Sequence, residues 1–313
     1  MKVGLALPHV GSQATKDNII KMAVDAENEG LDSLWVAERL LWPVTPQTPY
    51  PATEDGSLPT FYQKVFDPLE TLTFVAGKTE RIALGTSVID MLFHNPVILS
   101  KRFATLDVLS EGRSICGAGI GWSKDEYQAT NTPFSDRGKR ADEIVQLLKK
   151  IWEDDIVEFH GQFYNIPASK IGPKPIQKPS IPIHLGGYDS NTFARIARYA
   201  DGWLASLAGP IDFLSNGIKS SDEQARKINR DPKEFRNIAL TFPQPVTGSS
   251  HSSSSGNSDT RQSRFPLAGT MDLIGQDIRA IKNMGFDQII FAFVSLELDE
   301  MVDTAKELSK FAK

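Results

Sequence analysis

A glycine-rich segment near the middle of the chain has residue types that let backbone approach a flat ligand. Three alternating glycines, Gly117, Gly119 and Gly121, are followed by Trp122. Glycine has no Cβ, so the backbone comes close to a ligand and its N–H groups remain available to bind it. The dinucleotide-binding fingerprint needs a glycine where Trp122 stands, so a Rossmann motif is excluded. The segment predicts either a ligand-lining loop or a tight turn without a ligand.

A second candidate is a glycine pair that leads into a predicted helix. Gly186 and Gly187 precede Ser190 and Asn191, either of which we expect to cap a helix beginning near Thr192. The N-terminus of a helix presents free N–H groups and the positive end of its dipole. The pattern therefore predicts a phosphate site, with simple helix capping as the alternative.

Charged residues stand at the ends of two predicted strands. Glu38 and Arg39 follow the second predicted strand, and His9 follows the first. In barrel enzymes the C-terminal ends of strands carry catalytic residues, so we interpret these three as candidate catalytic residues. A structural ion pair and a hydrogen-bonding histidine are the alternatives.

Other catalytic and metal-binding patterns are missing from the sequence. The five histidines show no spacing typical of zinc ligands, so we predict no metal site. No Gly-x-Ser-x-Gly motif occurs, and Cys116 has the surroundings of a small core residue. Zinc chemistry and acyl transfer are therefore not expected.

The candidate residues must be positioned by a repeating pattern of strands and helices. Eight apolar segments of strand length alternate with amphipathic helical segments, which is typical of parallel βαβ units. The predicted strands are Lys2–Leu7, Ser33–Ala37, Ile82–Val88, Arg113–Ala118, Ile181–Leu185, Gly202–Ser206, Asn237–Phe242 and Gln288–Val294. We predict an α/β fold, a single (βα)₈ TIM barrel formed by residues 1–313.

Helical spacing and two repeated junctions support the barrel. Segments beginning at Gly30 and Gly285 each predict a left-handed glycine, an apolar residue, an aspartate and then a strand. Ser135 is the predicted N-cap of one long helix. Apolar stripes predicted to face the core are Ile144, Leu147, Leu148 and Ile151; Ile274, Ile278 and Ile281; and Val302, Ala305 and Leu308.

Three segments are too long to be simple connections. They follow predicted strands two, four and seven and comprise residues 38–66, 154–180 and 244–268. Loops at the C-terminal ends of barrel strands build active sites, so we predict that the segments after strands two and seven cover the barrel mouth. For the serine-rich stretch within the third segment, a flexible linker between two domains is the alternative.

Composition limits the partners and the compartment. The chain has 313 residues, 40% of them hydrophobic, and a formal net charge of −5 without a cluster of basic residues, so we expect a globular protein that does not bind nucleic acid. No apolar run approaches the ~20 residues of a membrane span. The first residues predict a strand rather than a signal peptide. A single cysteine suits a reducing compartment, and we expect a cytoplasmic location.

In combination, several short motifs resemble those of the bacterial luciferase-like oxidoreductases, in the same order along the chain. They are Trp35–Arg39, Asp67–Leu72, Thr79–Thr86, Asn95–Pro96, Ala104–Asp107, Ser110–Arg113, Gly117–Trp122, Gly186–Gly187 and Arg198–Trp203. The resemblance implies a (βα)₈ barrel that binds FMN or the deazaflavin coenzyme F420 at its mouth. Residues 39–56 are most similar to a branch of predicted F420-dependent oxidoreductases, which favours F420.

The resemblance also implies roles for individual residues. Ser87 and Val88 match a bulge with a non-prolyl cis peptide bond behind the central ring of the cofactor. The phosphate-binding turn is matched by Gly186, Gly187 and Ser190, and the pocket lining by Gly117, Gly119 and Gly121. Members of the family often pair through barrel helices, so we expect a homodimer.

One position departs from the family pattern. Arg39 stands where well-known relatives have a histidine, and an arginine stays protonated, so it cannot act as a general base. Arg39 is instead predicted to orient an anionic or carbonyl-bearing substrate. Glu38 or His9 is then the candidate proton carrier.

The leading hypothesis is an F420-dependent oxidoreductase that exchanges a hydride with an unidentified small organic substrate. An FMN-dependent luciferase-like monooxygenase is one alternative. A non-catalytic flavin or deazaflavin carrier is a second, because Arg39 replaces a proton-handling residue. A lyase or isomerase acting on a sugar phosphate is a third, although no lysine nucleophile stands at a strand end.

Overall fold

The computed structural model describes residues 1–207, 210–246, 266–294 and 296–313. The strands in chain order are β1 (Lys2–Ala6), β2 (Ser33–Val36), β3 (Ala83–Thr86), β4 (Ile89–Asp90), β5 (Ser114–Gly119), β6 (Val157–His160), β7 (Asn165–Ser169), β8 (Ile183–Leu185), β9 (Gly202–Ser206), β10 (Ile238–Thr241), β11 (Gln244–Pro245), β12 (Ala268–Gly269) and β13 (Gln288–Phe291). The α-helices are α1 (Lys16–Asn28), α2 (Pro68–Ala76), α3 (Pro96–Leu109), α4 (Lys124–Ala129), α5 (Arg137–Glu153), α6 (Ser190–Tyr199), α7 (Asp212–Lys227), α8 (Met271–Asn283) and α9 (Leu298–Ser309). Short 3₁₀ turns occur at Gly11–Gln13, Thr60–Gln63, Met91–Phe93 and Pro232–Glu234.

Eight of these strands close into a parallel barrel. The pairing order is β1, β2, β3, β5, β8, β9, β10 and β13, and β13 pairs back to β1 with Val3 opposite Ile289. Each of the eight predicted strands overlaps one of them, and β5 extends one residue beyond the prediction, to Gly119. The predicted (βα)₈ TIM barrel is confirmed, and every strand is parallel to both of its neighbours.

The two repeated junctions join neighbouring strands at the N-terminal end of the barrel. Gly30 and Gly285 have φ angles of 77° and 98°, the left-handed geometry that the sequence predicts. Asp32 then accepts a hydrogen bond from the Val3 N–H at 2.7 Å, and Asp287 accepts one from the Asn237 N–H at 2.8 Å. Each aspartate thereby satisfies an N–H group at the start of an adjacent strand.

The predicted apolar stripes of α5, α8 and α9 are buried in the layer between the helices and the barrel. The predicted cap of α5 is wrong. Asp136 rather than Ser135 occupies the N-cap, and its side chain makes no capping hydrogen bond.

The first and third of the long segments begin at the C-terminal ends of barrel strands, and the second lies at the N-terminal end of the barrel. Residues 38–66 leave the C-terminal end of β2. Residues 154–180 contain the antiparallel pair β6 and β7 and lie at the N-terminal end, because they follow α5 and precede β8. In the third segment β11 pairs with β12, and the serine-rich stretch at 249–258 lies outside the described residues.

The barrel interior is filled around one large aromatic side chain. Trp35 is fully buried, clusters with Leu204, Ile238 and Ile290, and donates from Nε1 to the Ser33 hydroxyl at 2.7 Å. A neighbouring strand makes room for the indole with a glycine, since a Cβ atom on Gly85 would lie 2.3 Å from Trp35 Cζ3.

Replacing Gly85 with Ala is expected to lower the free energy of unfolding by about 1–3 kcal/mol, because the added methyl overpacks the interior against Trp35. Urea unfolding measures the change. Gly77→Ala is the matched control, since a Cβ there would meet nothing nearer than 3.8 Å and its φ of −77° suits alanine. Equal stability of the two variants would contradict the overpacking argument.

Candidate functional site

The C-terminal ends of four barrel strands bring most of the predicted site residues together. Val88, just after β3, is the central side chain of this barrel mouth. A Cβ on Gly119 would lie 2.7 Å from Val88 Cγ2, and one on Gly186 would lie 3.3 Å from Val88 Cγ1. The Glu38 N–H donates to the Val88 carbonyl at 3.0 Å, and the Ser87–Val88 bond is cis, the geometry that the resemblance implies. Two glycines from different strands therefore let the Val88 side chain pack directly against their backbone.

Gly117 differs from the other two glycines of its segment. It is buried in the barrel wall, where a Cβ would lie 1.8 Å from the Thr86 carbonyl oxygen. The Thr86 hydroxyl also donates to the Gly117 carbonyl at 2.7 Å. The absent side chain of Gly117 is thus needed for close packing of two strands, whereas Gly119 and Gly121 border the mouth.

Asp90 is a buried carboxyl at this mouth that sequence reasoning missed. It is 7% exposed, and a Cβ on Gly119 would lie 3.0 Å from its Oδ1. Burial, with the nearby carboxyls of Glu38 and Glu126, raises the pKa of Asp90 to about 8. The carboxyl is therefore largely protonated at neutral pH. A signal existed in the sequence, since Asp90 is a single acidic residue within the apolar run from Val88 to Phe93.

Glu38 links the end of β2 to the segment after β3. Its carboxylate accepts a hydrogen bond from the Asp90 N–H at 2.7 Å, and the other oxygen lies 2.8 Å from Nε2 of His94. The Glu38 side chain is 2% exposed and that of His94 is 14% exposed. Glu38, a predicted catalytic residue, thus has a histidine partner in the structure. The sequence spacing did not indicate this partner, because 56 residues separate the two.

Arg39 has a buried acidic partner. Its guanidinium donates to Glu126 Oε2 at 2.9 Å, and the two side chains are 7% and 1% exposed. The guanidinium also lies 4.8 Å from the ring centre of Trp122 and 5.6 Å from that of Tyr62. Burial raises the pKa of Glu126, against the opposing effect of Arg39. The charge that was predicted to orient a substrate is therefore already paired within the protein.

The segment after β2 packs against α4 and contributes aromatic side chains beside the mouth. Its Gln47 N–H donates to Asp125 at 3.0 Å. The ring centre of Tyr50 lies 5.5 Å from that of Trp122 and 5.9 Å from that of Tyr62. These three rings form an aromatic wall next to Arg39. The predicted covering of the mouth by this segment agrees with that arrangement, whereas most of the segment after strand seven is outside the described residues.

The glycine pair forms a turn directly before α6. Trp203 Nε1 donates to the Gly187 carbonyl at 2.9 Å, and Gly187 has a φ of 126°. The predicted N-cap is wrong: α6 begins at Ser190, and Asp189 caps it by accepting from the Thr192 N–H at 2.8 Å. An aspartate preceding the helix can accept this bond, whereas the side chain of Ser190 belongs to the first turn.

The first backbone N–H groups of α6 are the hydrogen-bond donors of this turn that could bind an anion. Among the described residues, the backbone N–H groups of Ser190 and Asn191 have no hydrogen-bond acceptor. The exposed hydroxyl of Ser190 lies on the same first turn. These groups could bind a phosphate beside the exposed Asp189 carboxylate.

His9 lies at the end of β1, and both of its ring nitrogens contact backbone. Nδ1 donates to the Leu7 carbonyl at 2.8 Å, and Nε2 accepts from the Ala37 N–H at 2.8 Å. The residue is 5% exposed, and burial lowers the pKa of its imidazole. These contacts hold His9 in one neutral form that joins the ends of β1 and β2.

In the part of the chain that the structure describes, no group of three or more histidine, cysteine or acidic side chains has the arrangement of a metal site. None of the described helices is both long and apolar enough to cross a bilayer.

Comparison with known families and curated sequences identifies relatives. Residues 1–248 match the family described as luciferase-like monooxygenase. An uncharacterised protein of Mycobacterium tuberculosis is 36% identical over 184 residues, 58% of this chain and 64% of the relative. The F420-dependent glucose-6-phosphate dehydrogenase of Amycolatopsis mediterranei is 30% identical over 234 residues, 72% of this chain and 65% of that enzyme. The matched regions span less than two thirds of either relative.

Solved structures share the fold over the whole chain. An F420-dependent secondary alcohol dehydrogenase with an F420–acetone adduct has a TM-score of 0.79 at 18% identity and covers 100% of this chain and 99% of its own. The monooxygenase RslO1 from Streptomyces bottropensis has a TM-score of 0.77 at 20% identity, covering 99% and 98%. At these identities the likeness concerns the fold alone.

Replacing Asp90 with Asn is expected to change the pH dependence of stability. The pKa of Asp90 is raised from 3.8 to about 8 in the folded protein, so folding takes up a proton between these values. Stability contributed by this group is complete below about pH 4 and is lost as the pH rises towards 8. Asparagine does not titrate, so the variant gains stability relative to the wild type across this window.

Urea unfolding at several pH values measures this difference, which should reach several kcal/mol, since each pKa unit corresponds to about 1.4 kcal/mol. If the free energy of unfolding changes with pH in the same way for the two proteins, Asp90 is ionised in the folded state.

Proposed function

The chain belongs to the luciferase-like monooxygenase family, and from this we propose that it is an oxidoreductase that uses the deazaflavin coenzyme F420 to exchange a hydride with a small organic substrate. The observation that carries the proposal is Val88 between Gly119 and Gly186 at the barrel mouth, with the protonated Asp90 beside them. Supporting it, one curated relative is named an F420-dependent dehydrogenase.

The residues present fit a flat cofactor at this position. Gly119 and Gly186 carry no side chain beside Val88, so Val88 and the adjoining backbone form a cradle against which a flat ring system could pack. Ser87, Val88, Gly119, Gly121 and Gly186 would border the ring, and Gly187 and Ser190 would bind the phosphate. Gly117 is left out of this set, because its packing against Thr86 accounts for it. When bound, F420 supplies hydride transfer at C5 of its central ring.

Side chains of the chain would control the proton that accompanies hydride transfer. Asp90 holds a proton on its carboxyl at neutral pH and lies next to the Gly119 backbone. The Glu38 carboxylate and His94 form a second proton-carrying pair 2.8 Å apart, held by the Asp90 N–H. His9 is not part of this proposal, because both of its nitrogens are engaged by backbone.

The mouth favours an uncharged planar substrate. Tyr50, Tyr62 and Trp122 offer aromatic surface, while Glu126 neutralises the charge of Arg39. An organic carbonyl compound or an activated alkene suits this surface, and a small anion has no unpaired cation here among the residues named. Arg39 then positions Trp122 and the start of the covering segment, whose Leu40 N–H donates to Glu126 at 2.8 Å.

An FMN-dependent monooxygenase is the second candidate. The family is named for monooxygenases, and a solved structure with the same fold is one. The glycine cradle beside Val88 also suits the flavin ring. A carrier without catalysis is less well supported, because Asp90 and the Glu38–His94 pair keep protonatable groups at the mouth.

Fluorescence titration with F420 and with FMN tests the identity of the cofactor. The same titration of two Ser190 variants tests the phosphate site. We expect F420 to bind and Ser190→Glu to weaken its affinity about fivefold, the effect of ~1 kcal/mol of repulsion at a partly exposed site. A glutamate suits the first turn of a helix, so α6 should keep its stability. Ser190→Gln has the size of the glutamate without its charge and keeps the backbone N–H groups of the turn, so it should bind F420 more tightly than Ser190→Glu.

Tight FMN binding without a response to F420 would overturn the cofactor proposal. If F420 binds equally to both Ser190 variants, its phosphate lies elsewhere.

Oxidation of reduced F420 in the presence of carbonyl compounds and activated alkenes tests the activity. We expect turnover with at least one compound and a decrease of about 10²–10⁴-fold in kcat for Asp90→Asn, with F420 affinity retained. The wild-type rate should fall as the pH rises through about 8, where Asp90 loses its proton. A carrier would bind F420 and show no turnover with any of these compounds.

We also propose that the chain forms a homodimer through α2 and α3. Phe74, Ile98, Val108 and Leu109 on these helices are 40%, 59%, 38% and 59% exposed, and a groove of about 630 Å³ lies between the helices. Light scattering is expected to give a dimer for the wild type and a monomer for Ile98→Glu. Ile228→Glu, at an exposed site on α7's end, should remain dimeric. A monomeric wild type, or a dimeric Ile98→Glu variant, would contradict this surface.

A further inference from the structure

The N-terminal end of the barrel, opposite the mouth, contains a second cavity. Its volume is about 600 Å³, within the range of small-molecule sites. Four inward-facing residues from different strands form its inner part, and two lysines lie at its rim: Ile115, His184, Ile238 and Gln288, with Lys2 and Lys178. This basal cavity is separated from the mouth by the side chains clustered around Trp35.

His184 is the unusual group in the basal cavity. It is 4% exposed, and neither ring nitrogen has a hydrogen-bond partner among the described residues. Buried polar atoms are nearly always hydrogen-bonded, so an imidazole with two unused nitrogens indicates that something else binds there. Burial lowers the pKa of His184 to about 4, so the neutral ring offers one donor and one acceptor.

The neighbouring strands place glycines, and no side chains, on both sides of this imidazole. His184 lies opposite Gly117 and Gly202 in the strand register, so no side chain flanks it on either strand. A Cβ on Gly202 would lie 2.0 Å from the Arg236 carbonyl oxygen, which therefore also reaches inward beside the histidine. That carbonyl is near the ring without forming a normal hydrogen bond to it.

The charges around the basal cavity favour an anion. Lys2 and Lys178 form no ion pair within the part of the chain described here, whereas Lys149 is paired with Asp201 at 3.1 Å. Arg236 donates from Nη1 to the backbone carbonyls of Lys233 and Phe235 and has no acidic partner among the described residues, so its charge is uncompensated.

Besides Asp201, which is paired with Lys149, two carboxylates at the edge of the cavity oppose these cations. Glu234 is paired with Arg230 at 3.2 Å, and Asp287 accepts from the Asn237 N–H. Lys2, Lys178 and Arg236 then stand against the single charge of Asp287, which leaves an excess of positive charge.

We propose that the basal cavity is a binding site for a small organic anion, whose anionic group contacts Lys2 and Lys178 and whose polar group hydrogen-bonds to His184. The apolar walls from Ile115 and Ile238 receive its carbon skeleton. This site is distinct from the mouth and does not depend on the cofactor proposed there.

The test is an NMR titration of protein labelled at histidine Cε1, with citrate and glycerol 3-phosphate as probes. The chain has five histidines, and the signal that is absent from the spectrum of the His184→Asn variant is assigned to His184. We expect its signal to shift saturably with at least one probe at millimolar concentration. The signal of His9 at the other end of the barrel should not move, nor should sodium chloride at equal ionic strength reproduce the shift.

A charge variant separates binding from a local structural effect. Lys178 is exposed, so Lys178→Ala is expected to fold normally and to weaken probe binding about fivefold, while Lys219→Ala on α7 leaves binding unchanged. If the His184 signal responds to neither probe, or if Lys178→Ala binds as tightly as the wild type, the proposed anion site is wrong. In that case bound water accounts for the unused imidazole nitrogens.

Discussion

The Glu38 carboxylate is the contact on which the geometry of the barrel mouth depends. It accepts from the Asp90 N–H and contacts His94, while the Glu38 backbone N–H binds the Val88 carbonyl. These three contacts attach the segment after β3 to the end of β2. They set the position of Val88 over its glycine neighbours and hold the Asp90 carboxyl beside Gly119. Without this carboxylate, two adjacent strands would end without a fixed relation between the Val88 side chain and the Asp90 carboxyl.

The same region contains several buried acidic groups and little positive charge to balance them. Glu38, Asp90 and Glu126 are all buried, and Arg39 pairs directly with Glu126 alone. Burial and mutual repulsion favour the neutral form of one carboxyl, and Asp90 is that group. Arg39 has a structural role of its own, because it stabilises the neighbouring Glu126 carboxylate, and in the function that we propose the proton is carried by Asp90 and the Glu38–His94 pair. Arg39 also supports Trp122, so one side chain links the electrostatics of the mouth to its aromatic wall.

The two ends of the barrel offer different environments. At the mouth, glycines and aromatic rings surround a protonated carboxyl. At the base, a neutral imidazole lies beneath lysines that have no acidic partner in the described ranges. The cluster of Trp35, Leu204, Ile238 and Ile290 fills the interior between them. Strand β8 and the turn after it contribute to both ends, with His184 at the base and Gly186 at the mouth.

The sequence by itself determined the eight strands, the apolar stripes and the left-handed glycines, because period, burial and backbone preference act over a few residues. Its motifs also indicated the family and the residues that meet at the mouth. Only the tertiary structure decided which polar groups become partners. Arg39 lies 87 residues from Glu126, and Glu38 lies 56 residues from His94, so no local spacing could reveal either pair. The protonation of Asp90 and the packing role of Gly117 follow from strands that become neighbours when the barrel closes, since burial and proximity are properties of the closed barrel and not of any one segment.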